Sequence, residues 1–151
     1  MPTRRKTIQQ SAALAGLMAA SGLFPHYAHA FNAPAFDAKT LNDTLKALGA
    51  GAPQASKDVT LTAPDIAENG AVVPMGVATT LAGVKQLLLV VEKNPFPLVA
   101  VFNVNDSIEA NMTTRAKMGQ SSDVYAVAIT NDGKAFFSKK EVKVTLGGCG
   151  G

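Results

Sequence analysis

Residues 124–146 read VYAVAITNDGKAFFSKKEVKVTL, and this stretch decides the fold. Two apolar runs flank the Asn-Asp-Gly sequence of Asn131–Gly133, which favours a tight β-hairpin because its residues accept the backbone conformations of such a turn. In the second run Val142, Val144 and Leu146 alternate with charged or polar residues, so one face would lie on a core and the other in water. The stretch therefore predicts two long antiparallel strands.

Short β-type runs also fill most of the preceding chain, separated by turn signals such as Asn94–Pro97 and Asn105–Ser107. The predicted strands are Val59–Thr62, Ala71–Ala78, Gln86–Glu92, Leu98–Val104, Met112–Met118, Val124–Thr130 and Ala135–Leu146. Their spacing of about 8 to 12 residues predicts a mostly β fold, an immunoglobulin-like antiparallel β-sandwich of about seven strands. The residues expected to fill its core are Leu87, Leu89, Val91, Val99, Val101, Val127 and Ile129.

One amphipathic helix is predicted before the strands, over Phe36–Leu48. Its apolar residues recur at helical spacing, Asp37 is placed to cap its start, and Gly49 is placed to end it. Because the remaining pattern is that of a complete sandwich, we expect this helix to be an appendage to it.

The first 30 residues have the organisation of an export signal. A charged start at Thr3–Lys6 is followed by a weakly apolar run, Ser11–Phe24, and by Ala28-His29-Ala30, the small-x-small pattern that signal peptidase accepts. We expect cleavage after Ala30, a domain of one helix and a β-sandwich over 31–146 and a periplasmic location. The adjacent Arg4 and Arg5 resemble a twin-arginine signal, which exports folded proteins, with the general secretory route as the alternative. A retained anchor is disfavoured because the apolar run is too short for a bilayer core of roughly 30 Å.

Composition excludes several classes of function for the exported chain. Of 14 basic residues, three lie in the predicted signal, and the remainder balance the 11 acidic residues, so no basic surface for nucleic acid is expected. Both histidines, His26 and His29, would leave with the signal, which removes imidazole-dependent hydrolase chemistry. A single cysteine supplies neither an internal disulfide nor a thiolate cluster, and no metal site is predicted.

That cysteine, Cys149, stands in the sequence Gly-Gly-Cys-Gly-Gly of Gly147–Gly151. A lone cysteine is most often a buried core residue, but four glycines leave no side chain to hold this segment against the sandwich. We therefore expect a flexible arm that carries an exposed thiol about 10 Å beyond Leu146, since extended chain covers at most about 3.3–3.6 Å per residue. No cation is placed to lower the thiol pKa, so a partner enzyme would have to activate it.

The tail resembles that of SoxY, the family of sulfur carriers of the bacterial Sox thiosulfate-oxidising system, whose hallmark is a carboxy-terminal Gly-Gly-Cys-Gly-Gly. The segments Pro64–Gly70, Val73-Pro74, Asn94-Pro95 and Val142–Val144 also look like segments of this family. The resemblance covers nearly all of the chain after the predicted signal.

The resemblance implies a carrier without catalytic residues or a cofactor of its own. Cys149 would hold thiosulfate-derived sulfur covalently during oxidation to sulfate, and the swinging arm would consist of Gly147, Gly148, Gly150 and Gly151. The implied partners are SoxZ in a heterodimer and, transiently, the haem enzyme SoxAX, the hydrolase SoxB and, where present, a molybdenum-containing sulfane dehydrogenase. Neither nucleic acid nor, after signal removal, a membrane is expected as a partner.

Two other functions remain open. An exported structural or adhesive sandwich could dimerise through Cys149. A ubiquitin-like carrier could use Gly150-Gly151 as a thiocarboxylate, but its adenylation needs cytoplasmic ATP and this chain is addressed outward.

Charged residues near the tail and in the strands give weaker indications of function. Lys139, Lys140 and Lys143 could steer anionic substrates or an acidic docking face, although such lysines usually only solvate a strand. Arg115 is interpreted as a surface or interface ion-pair residue. The pair Asp106 and Glu109 lies in a turn-rich stretch and is assigned no role.

Overall fold

The computed structural model of the chain describes Lys6 and residues 32–145, and residues 32–145 contain two short helices and nine strands. The helices are α1 (Ala33–Asp37) and α2 (Leu41–Ala47). The strands are β1 (Pro53–Ala55), β2 (Val59–Thr62), β3 (Ile66–Ala67), β4 (Val73–Thr79), β5 (Val84–Val91), β6 (Leu98–Asn103), β7 (Asn111–Ala116), β8 (Ser122–Thr130) and β9 (Ala135–Val144). Apart from Lys6, the predicted signal lies outside the described residues, as does the predicted arm with Cys149.

The hairpin of β8 and β9 forms as predicted. The two strands pair antiparallel from Ser122↔Val142 to Ile129↔Ala135, and Gly133 takes the positive φ of 82° that the turn requires. The Asx turn expected in the β6–β7 loop is also present, since the Ser107 N–H donates to Asn105 Oδ1 at 2.9 Å.

The strands form two sheets, and the mostly β sandwich is confirmed. One sheet has the order β1-β9-β8-β5-β6, with β3 also paired to β9, and the other has the order β2-β4-β7. Every predicted strand is present with ends that differ by a few residues. The unpredicted β1 and β3 pair parallel to β9 and are too short, at three and two residues, to show an alternating pattern.

The central strands of the larger sheet, β5 and β8, are buried on both faces. Its inner face meets the smaller sheet through the cluster that contains Leu87, Leu89, Val91, Val73, Met75 and Val77. Its outer face belongs to a second cluster, in which Leu88, Val90, Val127 and Ile129 pack with Ala35 and Leu45 of the helices. The expected core residues Val127 and Ile129 are thus buried, but on the opposite face from Leu87. Val99 and Val101, expected in the core, are only partly buried because β6 is the edge strand.

The prediction of a single appended helix is wrong in two respects. The chain breaks at Ala38, whose ψ of 144° is extended, and each short helix has its own cap. Asn32 Oδ1 accepts from the Ala35 N–H in α1, and Thr40 Oγ1 accepts from the Asp43 N–H in α2, so Asp37 ends a helix instead of capping one. The helices are also part of the fold, since they cover the outer face of the larger sheet.

The end of α2 agrees with the prediction. Gly49 has a φ of 70°, and the Ala50 N–H donates to the Leu45 carbonyl at 2.8 Å, so the helix closes at a glycine in the left-handed conformation. No helix within residues 32–145 is long and apolar enough to cross a bilayer.

Truncation of Leu45 tests whether the helices belong to the core. Leu45→Ala should lower the free energy of unfolding by about 2–5 kcal/mol, because it leaves a cavity between α2 and the larger sheet. Urea denaturation followed by circular dichroism measures the change. The matched control is Lys46→Ala on the exposed side of the same helix, which should shift stability by no more than about 0.5 kcal/mol. Equal effects of the two changes would contradict the role assigned to α2.

Candidate functional site

The candidate site is the end of the sandwich from which the predicted arm departs. Cys149 lies four residues beyond Thr145, the last residue that the structure describes. Cys149 and its flanking glycines, Gly147, Gly148, Gly150 and Gly151, lie outside the described residues, as do Arg4, Arg5, Ala28 and Ala30 of the predicted signal. The structure therefore positions the point of attachment of the arm, which we call the root, Lys143–Thr145.

One side of the root is held by the segment that leads from β3 to β4, residues 66–72, which we call the crossover segment. It enters as β3, in parallel register with β9. Just before it, the Asp65 carbonyl accepts from the Lys143 N–H at 2.9 Å. Within it, the Thr145 N–H donates to the Ala67 carbonyl at 3.1 Å, and Thr145 Oγ1 donates to the Glu68 carbonyl at 3.3 Å. The backbone is thus hydrogen-bonded up to the last described residue.

The other side of the root is held by the loop between β7 and β8. The Val144 N–H donates to Ser121 Oγ at 2.9 Å, and the Met118 N–H donates to the Gly70 carbonyl at 2.7 Å. Gly70 is required by this arrangement, because a Cβ atom there would lie 2.5 Å from the Met118 carbonyl oxygen and 2.8 Å from Val144 Cγ1. The crossover segment and this loop therefore clamp the root between them.

Two of the three lysines predicted near the tail are engaged within the sandwich. Lys139 Nζ lies 2.8 Å from Asp123 Oδ2, and this hydrogen bond is the main reason that the pKa of Lys139 lies above its ordinary value. Lys140 Nζ lies 2.7 Å from Asp65 Oδ1 and donates to the Ala63 carbonyl at 3.0 Å. Lys143 is exposed and makes no ion pair with any residue of 32–145. Of the three, only Lys143 presents an unpaired charge at the root.

The remaining charged candidates lie away from the root or lack a partner. Arg115 is exposed on the outer face of the smaller sheet, where it lines an open cavity of about 550 Å³ with Thr62 and Thr113. It forms no ion pair with a described residue, so its surface position agrees with the prediction and an ion pair at an interface stays a prediction. Asp106 and Glu109 are exposed in the β6–β7 loop, at the opposite end of the sandwich from the root.

Within the described part of the chain, no three His, Cys, Asp or Glu residues lie close enough together to hold a metal ion. The arrangement anchors the end of β9 at one end of the sandwich. Sequence reasoning missed this clamp. Asn69-Gly70 reads as an ordinary turn, and only the contacts of Gly70 with Met118 and Val144 reveal that a side chain is excluded there.

Comparisons with known proteins agree in family and fold. Residues 45–149 match the family described as "Sulfur oxidation protein SoxY". The structure is similar to that of the sulfur carrier protein SoxY from Chlorobium limicola f thiosulfatophilum, with 32% identity, a TM-score of 0.64, and coverage of 71% of this chain and 97% of that one. No curated protein matches the sequence significantly.

A more distant likeness concerns the fold alone. Two variants of superoxide reductase (neelaredoxin) from Ignicoccus hospitalis match with 19% identity and a TM-score of 0.51, covering 58% of this chain and 79% of theirs. At this identity the shared sandwich says nothing about shared activity.

A methyl group at Gly70 tests the clamp. Gly70→Ala should lower the free energy of unfolding by about 1–3 kcal/mol, because the added Cβ forces Met118 and Val144 apart. It should also speed hydrogen exchange at the Val144 and Thr145 amides more than at amides in the middle of β8. The control is Gly119→Ala, where an added Cβ meets no atom within 4 Å. If Gly70→Ala leaves both stability and exchange at the root unchanged, the clamp does not operate.

Proposed function

The chain belongs to the SoxY family of sulfur oxidation proteins, and from this premise we propose that it carries thiosulfate-derived sulfur covalently on Cys149 for other enzymes to process. The observation that supports this most is the clamped root followed by Gly-Gly-Cys-Gly-Gly. A rigid end of a sandwich passes, within four residues, to a thiol that is flanked only by glycines. Such an arrangement suits the presentation of one sulfur atom away from the protein body.

The length of chain between Thr145 and Cys149 limits how far from the sandwich the sulfur can be presented. From Thr145 to Cys149, extended backbone spans at most about 13–14 Å, at about 3.3–3.6 Å per residue. Gly147, Gly148, Gly150 and Gly151 add no side chains, so the segment can enter a narrow cleft that ordinary residues would block. Because the root is hydrogen-bonded on both sides, the reach is measured from a fixed point and not from a fraying strand.

The proposed role for the carrier is non-catalytic and needs no cofactor of its own. The nearest unpaired cation in the described residues is Lys143, six residues before Cys149, so the sequence places no adjacent cation to lower the thiol pKa. Lys143 can attract sulfur oxyanions to this end of the sandwich, but thiolate formation is left to the enzyme that receives the arm. Such dependence protects the free thiol from reacting between enzymes.

The proposed cycle balances in atoms and electrons at each step. A haem enzyme of the SoxAX type takes two electrons as the thiol and thiosulfate (S₂O₃²⁻) join into Cys149–S–S–SO₃⁻ with release of one proton. A hydrolase of the SoxB type adds water across the bond to the sulfone, which releases hydrogen sulfate and leaves Cys149–S–SH. Where a molybdenum-containing sulfane dehydrogenase is present, it removes six electrons and seven protons as three waters convert the outer sulfur to Cys149–S–SO₃⁻. A second hydrolysis then restores the thiol.

We also propose that the exported chain works as a heterodimer with SoxZ. A twin-arginine signal would carry a folded pair across the membrane, which would explain how a partner without its own signal reaches the periplasm. The small exported sandwich, with an exposed edge at β6 and a smaller sheet of three strands, offers surfaces on which such a partner could pack.

Replacement of Cys149 tests the carrier function. Cys149→Ser should abolish thiosulfate-dependent turnover in a reconstituted system, because serine cannot form the disulfide-type bond to sulfur. Unfolding should shift by less than about 0.5 kcal/mol, the usual range for a change outside packed regions. Intact mass of protein from thiosulfate-grown cells, before and after reduction, should show a reversible adduct that maps to Cys149. Retained turnover, an adduct elsewhere, or disulfides only between copies of this chain would contradict the proposal.

Export is tested by the same mass measurement on periplasmic protein, which should begin at Phe31 if Ala28-His29-Ala30 directs cleavage. Replacement of Arg4 and Arg5 by lysine should greatly reduce the periplasmic level if the twin-arginine route is used. Normal periplasmic levels would indicate the general secretory route instead, and protein that retains residues 1–30 would contradict cleavage.

A further inference from the structure

Two large aliphatic side chains are exposed in the crossover segment beside the root. Ile66 is 56% exposed and Val72 is 51% exposed, while their neighbours Ala67 and Val73 are buried. Single exposed apolar residues are ordinary on protein surfaces, so exposure alone assigns no role to them. Their position relative to the root is what distinguishes them.

The crossover segment carries these side chains at its two ends. Ile66 is paired in register with Lys143, and Val72 immediately precedes β4, where Val73 pairs with Ala116. Between them Gly70 lies against Val144 Cγ1. The segment is held in this course by Asn69, whose Oδ1 accepts from the Ala71 N–H at 2.9 Å. The two aliphatic side chains therefore stand at the two ends of a short, fixed segment, and the root passes its middle.

The other exposed large apolar residues of 32–145 are differently placed. Phe96 is covered on one face by Lys39, whose Nζ lies 3.5 Å from the ring centroid and donates to the Pro95 carbonyl. Ile108 is 43% exposed in the β6–β7 loop, at the far end of the sandwich. Ile66 and Val72 differ from both because they belong to the segment that holds the root.

The length of the arm determines which proteins must come close to Ile66 and Val72. An enzyme that acts on the sulfur of Cys149 has to bring its reacting atoms within about 14 Å of Thr145, the extended length of four residues. Its surface must then come against the end of the sandwich that carries Ile66 and Val72. Ile66 and Val72 are only two side chains, and the exposed Lys143 is paired in register with Ile66, so the apolar contact that they offer is small.

We propose that the crossover segment, through Ile66 and Val72, is the docking surface for the enzymes that process the carried sulfur, each of which presents an apolar rim around a narrow cleft. This inference rests on the proposed function and names the surface to which the processing enzymes bind. A small apolar contact suits a carrier, because weak interfaces of limited area release their partner quickly and allow the next enzyme to bind. One surface used by successive enzymes also ensures that only one of them holds the arm at a time.

The test uses the full heterodimer with SoxZ, loaded without SoxAX. Tetrathionate (S₄O₆²⁻) converts the thiol to Cys149–S–S–SO₃⁻ by exchange, releasing thiosulfate and a proton, and sulfate release by the SoxB hydrolase is then followed. The variant is Ile66→Thr with Val72→Thr, which keeps β-branching and removes apolar surface. KM for the carrier should rise about tenfold while kcat at saturation stays within about twofold. The control Ile108→Thr, equally apolar but distant from the root, should leave KM unchanged.

The outcomes that overturn the proposal are distinct. An unchanged KM shows that the enzyme does not seat on these residues. Loss of SoxZ from the complex in size-exclusion chromatography shows that the patch is the heterodimer interface, and loss of a homodimer shows that it binds a second copy. Loading by tetrathionate should be equal in all variants, since it needs no docking. Cys149→Ser run in parallel separates failure of the carrier function from failure of the docking surface. If Cys149→Ser still releases sulfate, the carrier function fails. If Cys149→Ser is inactive but the Ile66→Thr, Val72→Thr variant has an unchanged KM, only the docking surface fails.

Discussion

The clamp around the end of β9 is the constraint on which the rest of the structure depends. β9 forms the hairpin with β8, pairs in parallel with both β1 and β3, and ends between the crossover segment and the β7–β8 loop. At that end Val144 is held by Ser121 Oγ and contacts Gly70, and Thr145 is held by Ala67. The strand that leads to the arm is therefore among the most firmly held in the sandwich.

The sequence predicted the sandwich because its signals are local. The Asn-Asp-Gly turn at Asn131–Gly133 and the alternation after it need only neighbouring residues, and both are present in the structure. The end of α2 at Gly49 was predictable for the same reason. Such signals depend on backbone conformations that few residues adopt, so they are seldom overridden by packing.

The packing of the helices on the outer face of the larger sheet was not predicted. The apolar residues that indicate this packing are easily assigned to a single core between the two sheets. In β5 the apolar residues run without interruption from Leu87 to Val91, and a continuous run is typical of a strand buried on both faces. Leu88 lies opposite Val127 and Leu87 lies opposite Ala128, so alternate residues face different clusters. The sequence interpretation placed Leu87, Leu89 and Val91 in one core with Val127 and Ile129, although those two residues of β8 lie on the opposite face. Leu88 and Val90 were assigned to no core, so no second apolar face was left for the helices to cover. The break at Ala38 was hidden for a similar reason, since the apolar spacing continues from Phe36 to Leu41 across it.

The contacts between the root and the crossover segment could not be predicted from the sequence, because they join residues that are far apart in the chain. Gly70 meets Met118 and Val144, which are 48 and 74 residues away, and a turn-like dipeptide gives no sign of either neighbour. The same separation explains how one fold can serve unrelated proteins. The likeness to superoxide reductases is one of sandwich architecture, whereas the only cysteine of this chain lies beyond the last described strand. In the proposed function the reactive atom is carried outside the sandwich, and the sandwich then has to supply only a fixed root and a surface beside it. Those are properties of a few residues at one end, and the rest of the fold constrains them only through the end of β9.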